Sequence, residues 1–183
     1  MTKYLVAVGE MLGGTPYGDT LKFFVKFGEE EIELDAPVYN VWQAIKMTLN
    51  SREEMVSLMK KSLLDINVNA AIDKLIQEQL VIEWKEQYDD SYFEQFALVP
   101  KGRVQEIKED DYIVVAFPKA EPVNLSMMSY FLWRHAHPFL SCNSTLLSIH
   151  QTTGVGMDYI KNDFIRWVPI LVNYDLLAIV PNN

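Results

Sequence analysis

Leu34-Asp35-Ala36-Pro37-Val38-Tyr39-Asn40-Val41-Trp42 decides the reading of this chain, because it returns. Ninety-one positions later stands Leu125-Ser126-Met127-Met128-Ser129-Tyr130-Phe131-Leu132-Trp133. The apolar run Leu21 to Lys26 that precedes the first stretch falls at the same offset on Tyr112 to Phe117. Further on, Leu75-Ile76 followed by Leu80-Val81 matches Leu171-Val172 followed by Leu176-Leu177, with a few residues inserted between. A period of this length implies two copies of one supersecondary unit, and it constrains architecture more than any single motif does. The division expected from it is a first domain over 1–108 and a second, truncated one over 109–183, joined at Lys108 to Asp111.

Local chemistry fills in the first copy. Tyr4 to Val8 is apolar and β-branched enough for an N-terminal strand. Gly9, Gly13, Gly14, Pro16 and Gly18 then read as a turn-rich loop. Leu21 to Phe27 and Glu31 to Leu34 flank Gly28-Glu29-Glu30 as a hairpin. Asp35 is an N-cap and Pro37 sits in a first helical turn. Val38, Val41, Trp42 and Ile45 share one helical face. Ser51 opens a second helix with Glu53 and Glu54 in its first turn, and Met55, Leu58, Met59 and Leu63 form its buried stripe. Val68, Ala71, Ile72, Leu75 and Ile76 outline a third. Val81 to Trp84 and Phe93 to Val99 read as two strands around a polar loop, Lys85 to Tyr92.

The second copy follows the same order. Ser126 caps a helix carrying Met127, Tyr130, Phe131 and Trp133. Asn143 or Ser144 opens a short one. A longer one carries Ile160, Phe164, Val168 and Leu171, with Pro169 inside it as an expected kink or break. Leu176 to Val180 gives a last strand with an unpaired edge.

Helix, helix-turn-helix, then a ribbon with a polar tip resembles the winged helix. The resemblance covers Asp35 to Gly102 and rests on Leu75-Ile76-x-x-x-Leu80-Val81 leading into a hairpin. It implies an α+β, mainly α fold of two tandem winged-helix units, with small antiparallel sheets and an extra N-terminal strand. In architecture and charge the chain is also similar to acidic tandem winged-helix subunits of chromosome-organising and sorting complexes. No functional residue is carried over by that similarity, which implies only a module that binds protein partners or itself.

Composition narrows the functional classes. The 183 residues are 49% hydrophobic and 22% charged, which suits a packed core rather than disorder. No apolar run reaches the ~20 residues of a spanning helix. The single cysteine, Cys142, excludes an internal disulfide, and a reducing, cytoplasmic setting is the expectation. The net charge of −9 repels phosphate backbones and anionic lipid and favours basic partners. The acidic excess lies in the first half and the junction, in clusters such as Glu29, Glu30, Glu31, Glu33 and Asp35.

Candidate sites follow from the fold. A DNA-reading third helix would present Asn67, Asn69, Lys74 and Gln77, with Lys60 and Lys61 meeting phosphates. Asp73 at mid-face, and Glu86, Asp89 and Asp90 in the loop, oppose that use. The second copy's third helix offers Tyr159 and Trp167, aromatics suited to a protein interface or to packing between the copies. His135, His137, Cys142 and His150 include an H-x-H pair, but they read as polar packing near a helix end, with no second cysteine to complete a metal set. Cys142 with a histidine carries no signature of an activated nucleophile. Gly9-x-x-x-Gly13-Gly14-Thr15 lacks the ending of a phosphate loop. The expectation is therefore a non-enzymatic interaction module with no catalytic residue, cofactor or metal. It binds a protein partner or self-associates, a homodimer being possible, and it does not bind a membrane. A winged-helix transcription regulator is the alternative.

Overall fold

In a computed structural model that describes residues 2–18, 20–62, 66–108, 111–115 and 121–182, Gly9 sets the first turn. Its φ is +87°, and a Cβ there would stand 2.7 Å from the Lys26 carbonyl oxygen, so only glycine fits. The turn separates β1 (Thr2–Ala7) from β2 (Glu10–Tyr17). β2 continues into β3 (Thr20–Phe27) and β4 (Glu30–Asp35), an antiparallel meander in the order β2-β3-β4. Three helices follow, α1 (Ala36–Met47), α2 (Arg52–Ser62) and α3 (Val68–Gln77), and β5 (Val81–Lys85) closes the set by pairing antiparallel with β1.

The stretch expected as a glycine loop is thus mostly strand. Gly13, Gly14 and Pro16 sit in β2, which has a neighbour on one side only and bulges between Met11 and Gly13. An outer strand tolerates residues that would weaken a central one. Asp35 occupies the N-cap of α1 but gives it no side-chain bond, because its carboxylate pairs with Lys22 across the hairpin. Ser51 starts α2 as expected, and it forms a reciprocal pair with Glu54: Ser51 N–H donates to Glu54 Oε2 at 2.8 Å and Glu54 N–H to Ser51 Oγ at 3.3 Å. Leu63 lies outside the described residues.

The chain divides into two compact units at Lys85 and Glu86, ahead of the expected boundary at 108. The cause is strand pairing. Val81 to Trp84 and Phe93 to Val99 do not form one hairpin. β5 goes to β1, while β6 (Phe96–Pro100) pairs with β10 (Leu177–Pro181) over five residue pairs. The last strand is therefore paired on one side rather than left as half of an incomplete ribbon. The intervening polar segment is no projecting tip either. It contains a short helix, α4 (Asp90–Phe93), capped by the Asp89 side chain, and Tyr88 stacks beside the buried rings of Phe93 and Phe164. Its Asp90 carboxylate accepts from Lys161 Nζ at 2.8 Å.

After β6, the second unit runs through the order seen in the first. It has the meander β7 (Arg103–Lys108), β8 (Asp111–Val115) and β9 (Pro122–Leu125). The helices α5 (Met127–His135), α6 (Cys142–Thr153) and α7 (Met157–Asn173) come next, and then β10. Lys108 and Asp111, expected as the interdomain junction, are paired with each other across the β7–β8 hairpin. The molecule is a mixture of helices and small antiparallel sheets, seven helices and ten strands among the described residues, rather than mainly α.

Matching contacts recur in both units. Phe23 stacks on Tyr39 with centroids 4.0 Å apart and planes at 3°, and Tyr112 stacks on Tyr130 at 4.0 Å and 9°. Leu80 N–H donates to Leu75 and Leu176 N–H to Leu171, both at 2.8 Å, immediately after Gln79 (φ 56°) and Asp175 (φ 62°). These are left-handed exits from the third helix made without glycine. Each unit has its own core. Leu5, Val41, Trp42, Ile45, Ile72 and Leu75 are buried in the first, and Phe93, Leu98, Leu132, Ile149, Phe164 and Val168 in the second. Full burial of one such side chain contributes about 1.5–3 kcal/mol.

Candidate functional site

The two third helices differ in length, and the difference makes a groove. α7 has 17 residues where α3 has 10. Aligning them on Leu75 and Leu171 puts the additional turns at the N-terminus of α7, from Met157 to Asp163. Gly154, left-handed at φ 70°, ends α6, and Gly156 starts α7 without a side-chain cap bond. Pro169 does not interrupt α7. Val168, Pro169 and Leu171 are all buried, and that packing outweighs the one donor the proline removes.

The added turns face the start of α5, where Ser126 caps the helix by accepting from Ser129 N–H. Between them lies a groove of about 710 Å³ lined by Met127, Met128, Tyr159, Asp163, Arg166 and Trp167, with Ser126, Val155 and Gly156 at its ends. The spacing 159, 163, 166, 167 places four of these side chains on one helical face. Tyr159 is 60% and Met127 48% exposed, while Trp167 is half-buried. The Arg166 guanidinium lies 4.9 Å from the Trp167 ring centroid, a cation–π contact that holds both groups at the rim. Burial pushes the Asp163 carboxyl above the usual carboxylate range, and Arg166 partly offsets it. Aromatic rings, methionines and an arginine around a concavity are the side chains that protein interfaces favour. No nucleophile–base pair lies among them.

The sequence named Tyr159 and Trp167, with Arg166 on the same helix, and missed Met127, Met128 and Asp163 as partners to them. Met127 and Met128 were legible as helix-start residues, but nothing in the chain ties them to a helix thirty positions on.

The residues proposed for a nucleic-acid face stand on α2 and α3. Lys60 and Lys61 are exposed on the last turn of α2, where they complement the helix dipole. Asn67 caps α3, its Oδ1 accepting from Ala70 N–H at 3.1 Å, so that side chain serves the helix. Asn69 and Gln77 are exposed. Lys74 is half-buried and, after Lys22, helps hold the Asp35 carboxyl below its ordinary value. Asp73 accepts from Arg52 at 2.7 Å on the same outer surface.

The histidines and Cys142 are occupied separately. His135 Nδ1 lies 3.0 Å from Ser148 Oγ, and His150 Nδ1 lies 2.7 Å from the Val155 carbonyl oxygen. His137 Nδ1 accepts from Phe139 N–H at 3.3 Å. Cys142 is buried, and burial followed by the charge of Glu94 pushes its thiol far up, the opposite of activation.

Among the described residues, no helix is long and apolar enough to cross a membrane. No protein-family model, curated protein or solved structure matches this chain.

Proposed function

We propose that the chain is a non-enzymatic module that binds other protein chains, and that the α5–α7 groove of its second unit takes the partner. The observation that carries this is the groove lined by Tyr159, Trp167, Arg166, Met127 and Met128. Rigid aromatics and arginine in a concave site are where binding energy concentrates in protein interfaces. The two units are best placed beside tandem winged-helix modules through their helix trios, each followed by a strand. That kinship is part of the proposal, as is residence in a reducing compartment, for which the single buried Cys142 is the support.

The regulator alternative draws on Asn69, Gln77, Lys60 and Lys61, which are exposed. It is disfavoured by the net charge of −9, by the Asn67 side chain being used as a cap, and by the polar segment after β5 forming part of the second unit. Among the described residues of that face, phosphate contact would rest on Lys60, Lys61 and the half-buried Lys74, with Asp73 exposed next to Lys74.

The test is selection of a displayed random-peptide library on the immobilised full chain, followed by calorimetry with an enriched peptide. Tyr159→Ala and Trp167→Ala are each expected to weaken binding about tenfold or more. A library that yields no enrichment, or peptides whose affinity ignores both substitutions, would refute the assignment.

A further inference from the structure

The meander of the first unit has two open edges, and they are chemically unlike. β4 exposes Glu30, Glu31, Glu33 and Asp35, four carboxylates in six residues. Two copies of that edge laid side by side would repel. β2 reads Glu10-Met11-Leu12-Gly13-Gly14-Thr15-Pro16-Tyr17, with its one charge at the start, in a chain that carries 16 basic and 25 acidic residues. Along it every residue but Gly13 is exposed. Met11, Leu12 and Tyr17 are 49%, 49% and 77% exposed, and Leu21 beside Pro16 is 44% exposed. Natural outer strands are usually blunted with charge against pairing with another chain. β4 is blunted in this way, whereas β2 carries no charge beyond Glu10 and has only its bulge at Met11–Gly13 and Pro16 to limit pairing.

The backbone points the same way. Pro16 has no N–H, so it belongs where that position turns away from β3. Side-to-side alternation along an antiparallel ladder then turns Gly14 outward too, presenting one donor and one acceptor. Pro16 adds its carbonyl. Where a Cβ on Gly13 would stand, no atom lies within 4 Å, so that face of β2 is open.

We propose that β2 pairs antiparallel with β2 of a second copy of this chain, joining the two meanders about a twofold axis near Gly14. A second copy is the occupant because the strand is self-complementary. Copies at −9 repel over much of their surface, and a strand whose one charge, Glu10, stands at its end is where like can meet like with fewest opposed carboxylates. This surface is separate from the α5–α7 groove, and each assignment can fail without the other.

Sedimentation equilibrium of the full chain from about 1 to 200 μM tests it. The wild type is expected to be a dimer at the upper end. Leu12→Lys sets an ammonium against Pro16 of the other copy at both ends of the paired segment and is expected to weaken association about tenfold or more. Thr15→Glu brings the two copies' carboxylates to diagonal positions beside the axis, where they repel, and in the monomer it stands opposite Lys22, so the fold keeps a favourable cross-strand pair. Phe139→Lys, at a position 84% exposed on the second unit, is expected to leave the dimer unchanged. A wild type that stays monomeric throughout overturns the proposal, and so does a dimer that survives both Leu12→Lys and Thr15→Glu.

Discussion

Trp42 donates its indole N–H to the backbone carbonyl of Val8 at 3.0 Å, tying the first helix of unit one to the end of its first strand. In the second unit Trp133 reaches the carbonyl of Lys101 at 2.9 Å. Each carbonyl belongs to the residue before a left-handed glycine, Gly9 or Gly102. In each case the same residue's N–H is bonded to the leucine that follows the third helix, Val8 to Leu80 and Lys101 to Leu176. The indole thus locks the first helix to the point where first strand, first turn and last strand meet.

That lock predicts paired losses. Trp42→Phe removes a buried donor, leaves the Val8 carbonyl short of a partner and should cost about 1–3 kcal/mol. Trp133→Phe should cost a similar amount. Urea unfolding of each variant checks this, and a loss at one site alone would show that the two contacts are not equivalent.

The exits from α3 and α7 predict a gain. Gln79 and Asp175 hold left-handed conformations that cost a side-chain-bearing residue about 1–2 kcal/mol. Part of that relief is returned through the greater freedom of glycine in the unfolded chain. Gln79→Gly should therefore stabilise the protein by up to about 1 kcal/mol. Asp175→Gly should gain less, because it also removes an ion pair with Lys101 at 3.6 Å. Thermal melts of both variants provide the comparison.

The Asp163 carboxyl gives a pH signature with a definite sign. Its folded pKa is raised by burial, so between the unfolded and folded values the native state holds more protons than the unfolded one. Its ionisation therefore disfavours the fold above the folded pKa, and the effect vanishes as pH falls below the unfolded value near 3.9. Asp163→Asn should raise the melting temperature modestly at pH 7 and lose that advantage by about pH 3.5. An advantage constant across this range would assign the effect to packing instead.

The proposed preference for protein partners predicts the behaviour with DNA. Fluorescence anisotropy with mixed genomic fragments at about 50 mM salt should show no binding that falls away at higher salt. Salt-sensitive binding that weakens when Lys60, Lys61 and Lys74 are changed to Glu would restore the regulator reading.

Much of the architecture was legible from the sequence, for physical reasons that can be named. Tyr39 with Trp42, and Tyr130 with Trp133, stand out because large aromatics at one helical spacing are rarely interchangeable. The Ser51–Glu54 and Ser126–Ser129 caps are local and so readable. Strand partners were not, because pairing β5 with β1 or β6 with β10 spans most of a unit, and proximity in sequence suggested the wrong hairpin. β2 was read as loop because its glycines and proline are penalised in a central strand but not at an outer one. Pro169 looked like a break because its cost is local, whereas the packing that overrides it is tertiary. At the groove, Tyr159 and Trp167 were visible as misplaced aromatics. Met127, Met128 and Asp163 became relevant only once the extended α7 lay against α5.

Hydrogen–deuterium exchange on the full chain, with and without a selected peptide ligand, tests the central claim most directly. The first amides of α7 lack intrahelical acceptors, as in any helix, and Gly156 brings no side chain to cap them, so they are open to exchange until something covers them. New protection is expected at 157–159 and at the start of α5, with α2 and α3 unchanged. Protection confined to 60–77, the helix pair a DNA reader would use, would contradict it.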